Sequence, residues 1–155
     1  MKTINLQPPT QRKNNGYARK HQLGAIDAET FLSAFRHAKE KGKKNFDLYG
    51  FKFRTSTHSH LLFAEQGCAC VRCGIEGVMF VIETEYKDKR PHATLYAIDE
   101  NGNVRLMTKD HIIPKSKGGI NRQSNYQVMC QKCNNEKADK VDVEIAQILV
   151  ELLAA

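Results

Sequence analysis

The chain has no apolar run near the roughly 18 residues that a membrane-spanning helix requires. Its opening stretch, Met1-Lys2-Thr3-Ile4-Asn5-Leu6-Gln7-Pro8, lacks the apolar core of an export signal. No membrane contact is therefore expected, and the protein is expected to stay in the cytoplasm where it is made. Internal repeats and low-complexity tracts are missing too, which gives no ground for reading an array or solenoid. An even cysteine set, the mark of a disulfide framework, is also absent. There are five cysteines, four of them in Cys-x-x-Cys pairs, and this suits a reducing compartment.

Acidic residues are scarce in two places. Residues 1–44 hold ten Lys or Arg against three Asp or Glu, whereas residues 45–155 hold fourteen of each. Within that balanced part, residues 105–140 carry eight bases and three acids, and residues 45–104 carry six and eight. A net charge of +7 distributed this way points to a polyanionic partner.

At 155 residues and 41% hydrophobic content, one domain with a modest core and an appended element is expected. Residues 1–25, with Pro8-Pro9 and Asn14-Asn15-Gly16, read as a flexible basic arm. Residues 26–66 form a second segment. There Asp27 caps a helix to about Lys41 with Phe31, Ala34, Phe35 and Ala38 on one face. Phe46, Leu48, Phe51 and Phe53 make two short strands, one bulged strand around Gly50 or an irregular aromatic cluster, and residues 58–66 make a short helix. Residues 67–155 form the third segment. It should contain a strand at 78–86 and a hairpin from Ala93 through Asp99-Glu100-Asn101-Gly102-Asn103 to Ile113, ended by Pro114. A returning strand at Tyr126 to Met129, a helix starting near Asn134 and an amphipathic helix from about Val141 complete it, the last carrying Ile145, Ile148, Leu149 and Leu152 on one face. The class is α+β.

Two knuckles, Cys70-Val71-Arg72-Cys73 and Cys130-Gln131-Lys132-Cys133, stand at either side of an Asp-His pair. Two residues between cysteines let one tight turn present both sulfurs to one ion, and two such turns close a tetrahedral zinc site of structural type. Cys68-Ala69-Cys70 offers a third thiol to the first knuckle. Cys70 with Cys73 has the better spacing, so Cys68 reads as a free thiol. The remaining histidines, His21, His37, His58, His60 and His92, read as surface or partly satisfied positions.

Between the knuckles run Asp110-His111-Ile112-Ile113-Pro114-Lys115-Ser116-Lys117-Gly118-Gly119, then Asn121 to Cys130, then Cys133-Asn134-Asn135-Glu136-Lys137. Over about residues 68 to 140 this resembles the HNH endonucleases, in particular free-standing phage or mobile-element members. The family's three letters fall on His111, Asn125 and Asn134, with Asn in place of the last His. The resemblance implies a ββα-metal (His-Me finger) core stapled by Cys70, Cys73, Cys130 and Cys133 around zinc, with a basic arm and helix before it and a helix after. It implies a DNA endonuclease that hydrolyses phosphodiester bonds with one divalent cation, Mg2+ first and Mn2+ or another second. Asp110 and Asn134 would hold that ion, His111 would be the general base, and Asn125 would brace the loop and orient the base. Lys109, Lys115, Lys117, Arg122 and Lys137 would contact double-stranded DNA, and the protein would act as monomer or homodimer in the cytoplasm, the host's if phage-borne. The rival reading is a noncatalytic zinc ribbon that binds nucleic acid. A ribbon of that kind has no need for an acid and a base between its knuckles. A third is a component of a larger assembly that keeps an HNH unit.

Overall fold

The computed structural model describes residues 20–85, 90–141, 151, 152 and 154. Its first element already differs from the expected arm. Strand β1, Lys20–Asp27, pairs antiparallel with β4, Gly77–Glu85, with Ile26 opposite Phe80. The polar sequence of β1 carries no local strand signal. It takes its hydrogen bonds from a partner far along the chain, which composition does not reveal.

Helix α1, Ala28–Glu40, begins where the Asp27 side chain accepts the Thr30 N–H at 3.0 Å, as an N-cap should. Its buried face is Ala28, Phe31, Leu32, Phe35 and Ala38. The aromatic segment resolves into two strands, β2 (Asn45–Leu48) and β3 (Phe51–Arg54). They join through Tyr49-Gly50, both at positive φ (50° and 82°), the requirement of a tight hairpin turn. Helix α2, His58–Gln66, follows as expected.

β4 continues the main sheet into β5 (His92–Ile98), β6 (Val104–His111) and β7 (Tyr126–Cys130), all antiparallel, in the order β1-β4-β5-β6-β7. β6 serves two neighbours in turn. Val104 to Leu106 pair with β5, and Met107 to His111 pair with β7. The β5–β6 turn is held by Asp99, whose carboxylate accepts the Asn101 and Asn103 N–H groups and pairs with Arg105 at 2.7 Å. Helix α3, Gln131–Lys137, starts three residues before the expected position, because the second knuckle is itself the first helical turn. The expected last helix lies outside the described residues except at 151, 152 and 154.

One core joins the N-terminal segment to the sheet. Phe31 stacks on Phe80 at 4.2 Å and meets Phe46, Phe53 and His60 edge-on at 5.0 to 5.5 Å. Each fully buried phenylalanine contributes about 1.5–3 kcal/mol through area removed from water. His60 is the odd member of this cluster. Its Nε2 donates to the Ala93 carbonyl at 2.9 Å, and its Nδ1 has no hydrogen-bond partner among the described residues. Burial lowers its pKa, the bond to Ala93 opposes this, and His92 adds to the lowering.

A group with a depressed folded pKa binds fewer protons when folded, so its contribution to stability is lost as pH falls below the unfolded value of about 6.5. The urea midpoint should therefore drop more steeply below that pH in wild type than in His60→Gln. Parallel pH profiles for the two proteins would rule out His60 as the source.

Candidate active site and metal centre

The alternation of β6 sorts the candidate residues onto two faces. Lys109 and His111 share one face against Tyr126, which stands opposite His111 in β7: the Lys109 ammonium lies 3.8 Å from the ring centroid and the His111 ring 5.0 Å away, edge-on. Thr108 and Asp110 share the other face, and α3 covers it. Two rungs cross from strand to helix. Asn134 Nδ2 donates to Thr108 Oγ1 at 2.9 Å, and Lys137 Nζ lies 2.9 Å from Asp110 Oδ2. Gln127, opposite Asp110 in β7, donates to the same oxygen at 2.9 Å.

Hydrogen-bond bookkeeping orients two of these groups. Thr108 Oγ1 donates its proton to the Met129 carbonyl at 2.8 Å, so toward Asn134 it must accept. The Asn134 atom facing it is therefore the amide nitrogen, and Asn134 Oδ1 points elsewhere without a hydrogen bond among the described residues. His111 Nε2 lies 2.8 Å from Asn121 Oδ1. An amide oxygen only accepts, so Nε2 is the donor, and in the neutral ring the lone pair belongs to Nδ1. Sequence reasoning missed Asn121, which no local signal marks.

The loop that carries Asn121 is closed by Asn125. The Asn125 Oδ1 accepts the Ile113 N–H at 2.9 Å, and its Nδ2 donates to the carbonyls of Ile113 at 3.1 Å and Ile120 at 3.0 Å. A Cβ on Gly119 would collide with the Ile113 carbonyl, so the loop needs glycine there. Lys115, Lys117 and Arg122 stand exposed on this loop. Asn125 thus braces the loop, and the side chain hydrogen-bonded to His111 is Asn121.

Lys137 departs from the expectation of a phosphate contact. It is buried, with its ammonium on Asp110 and on the His111 carbonyl at 2.8 Å. Truncating one partner of a buried ion pair leaves the other charge uncompensated, at a cost of about 3–5 kcal/mol. Lys137→Met should lower the thermal midpoint accordingly, and adding Asp110→Asn should recover much of the loss. A single variant as stable as wild type would contradict the pairing.

At the far end of the β6–β7 pair lie the cysteines, roughly 13 Å along the strand from His111. Cys70 and Cys73 come from a turn after α2 that is tied to β7 by Val71 N–H to the Val128 carbonyl at 2.9 Å, with Gly74 at φ +74°. Cys130 ends β7 and caps α3, its sulfur accepting the Cys133 N–H. The four ligand atoms lie within 4.8 Å of one another, and Cys73 and Cys130 sulfurs are 3.8 Å apart. Tetrahedral zinc with bonds of about 2.3 Å separates its sulfurs by roughly 3.8 Å, so the cluster could hold a zinc ion. Burial resists ionisation of Cys70, but backbone hydrogen bonds at Cys73, Cys130 and Arg72 outweigh it and bring the thiol down to about 7. Burial and hydrogen bonds with Cys130 and Cys73 push Cys133 upward. Four thiolates this close repel one another, so a cation between them would be what lets all four ionise. Cys68 is outside the cluster, and burial with the nearby Glu76 raises its thiol to about 11.

Residues 99–149, about a third of the chain, match the family model for HNH endonucleases. The match spans Asp110, His111, Asn125, Asn134 and the second knuckle, and it leaves out Cys70 and Cys73. No curated protein and no solved structure matches the chain. Among the described residues no helix is long and apolar enough to cross a membrane.

Proposed function

We propose that the protein is a DNA endonuclease that hydrolyses phosphodiester bonds with a histidine base and one divalent ion. The observation that carries this reading is the division of labour at the end of β6, within the family-matched segment: a histidine hydrogen-bonded through Nε2 on one face, and on the other a buried carboxylate at Asp110 with the Asn134 amide held on Thr108 of the same face. The four cysteines would hold a structural zinc that keeps the β7–α3 junction in place.

His111 Nδ1 accepts the proton of the attacking water, while Nε2–H stays on Asn121 Oδ1. Asn125 keeps the loop, and with it Asn121, at a fixed distance from the strand end. Lys109, Lys115, Lys117 and Arg122 offset the charge of the phosphates on either side. For a hard divalent ion such as Mg2+ or Mn2+, Asp110 Oδ1 and Asn134 Oδ1 are the oxygen donors that fit, both without hydrogen bonds among the described residues. When bound, such an ion supplies Lewis-acid polarisation of the phosphate and stabilises the leaving 3′ oxygen.

The experiment is nicking of supercoiled plasmid by the zinc-loaded protein with Mg2+ or Mn2+, with and without chelator. Cation-dependent nicking is the expected result. DNA binding without cleavage under every divalent ion would leave the zinc-ribbon binding module as the function.

A further inference from the structure

We propose that the β2–β3 hairpin is a second DNA-contacting element, which grips phosphates of the duplex beside the cut site. This rests on the nuclease reading above. Phe46 and Phe53 turn into the core, and the register Asn45 with Arg54 and Asp47 with Lys52 leaves those four side chains on the outer face. Lys43 and Lys44 lead into the hairpin, exposed. Their carbonyls accept the Thr55 hydroxyl at 2.6 Å and the Thr55 N–H at 3.0 Å. Lys43, Lys44, Lys52 and Arg54 thereby stand exposed on and beside one short hairpin with Asp47 as its acid. None of the four forms an ion pair among the described residues. Lys39 and Lys41 are left out of the argument, because cations near a helix C-terminus have a structural use there.

The tip of the hairpin gives a second, independent reason. Tyr49 is 61% exposed and sits at φ +50°, a conformation that bulky residues rarely adopt and that Gly or Asn would take readily. Core packing asks for no aromatic ring at this position. An exposed ring on a hairpin that carries exposed cations fits contact with a nucleic-acid backbone or groove edge.

The placement is right for a duplex seated on the active site. β3 runs through Thr55-Ser56-Thr57 into His58, whose ring lies edge-on to Tyr126 at 6.0 Å, and Tyr126 in turn meets His111 at 5.0 Å. From Arg54 to His58 is four residues, at most about 14 Å of chain. The two ring contacts add 6.0 and 5.0 Å, so Arg54 lies within about 25 Å of His111, about seven base pairs along a duplex axis. Phosphates within roughly one turn of the one at His111 therefore come within reach of the hairpin.

The test uses the full zinc-loaded chain without added Mg2+, titrated into a fluorescent duplex over a salt series. Lys43→Gln, Lys44→Gln, Lys52→Gln and Arg54→Gln are combined in one variant, with thermal midpoint and zinc content as fold controls. Each lost phosphate contact removes about 0.9 from the slope of log affinity against log salt, so the variant's slope should be shallower by at least about 1. Tyr49→Gly should bind severalfold more weakly while melting higher, since it relieves the turn. A wild type that nicks plasmid, beside a quadruple variant that keeps the full slope, overturns the hairpin contact alone. A wild type that binds no DNA overturns the nuclease reading beneath it.

Discussion

Stripped of its ion by a strong chelator, the protein is expected to lose its cooperative fold and to release one zinc per chain. Binding of a structural zinc by such thiolate sets is worth about 10–16 kcal/mol, which matches or exceeds the roughly 5–15 kcal/mol of a whole domain. The position of the cluster makes that energy global. Cys130 ends β7, caps α3 and lies 3.8 Å from Cys73, while the first knuckle hangs on β7 through Val71. Cys130→Ser should therefore abolish the cooperative melting transition. Cys68→Ser should cost little, because Cys68 stands outside the cluster. Circular dichroism on heating, with a chromogenic zinc assay alongside, checks both. Folded metal-free protein with an unchanged transition would refute the structural role.

His111→Ala should retain zinc, fold and DNA affinity while losing cleavage, by about 10²–10⁴-fold if the base contributes as positioned bases usually do. The ring is half-exposed and its own hydrogen bond reaches the Asn121 side chain, so its removal leaves the core intact. The parallel test at Asp110 needs more care. Asp110→Ala would strand the buried Lys137 ammonium, and lost activity would then mix chemistry with unfolding. Asp110→Asn, with its melting point measured, is the cleaner variant, and a loss at least as large as that of His111→Ala is expected when the ion's charge stabilisation goes. Asn125→Ala should show a milder rate effect together with a stability loss, since three side-chain hydrogen bonds close the loop. Equal nicking by wild type and His111→Ala would remove His111 as the base.

Features set by neighbours a few residues apart were legible in the sequence. Asp27 caps α1 three residues ahead of its bonded N–H, Gly50 interrupts the alternation between β2 and β3, and α2 and the β5–β6 hairpin follow their local periodicities. The two-residue period of β6 likewise put Asp110 and His111 on opposite faces before any contact was known. The knuckle spacing marked four sulfurs, but their convergence within 4.8 Å depends on two turns some sixty residues apart in the chain.

What only the tertiary structure decided lies at longer range. β1 exists because β4 offers a free edge to a polar stretch with no strand signal of its own. Lys137 counted as one more surface cation until α3 packed across β6 and buried its ammonium on Asp110. Asn121 was a loop residue among others until the brace at Asn125 brought it to His111. Charge and hydrogen-bonding capacity are written in residue types, but the partner that satisfies each group is chosen by the packing of distant segments, and burial makes that choice binding.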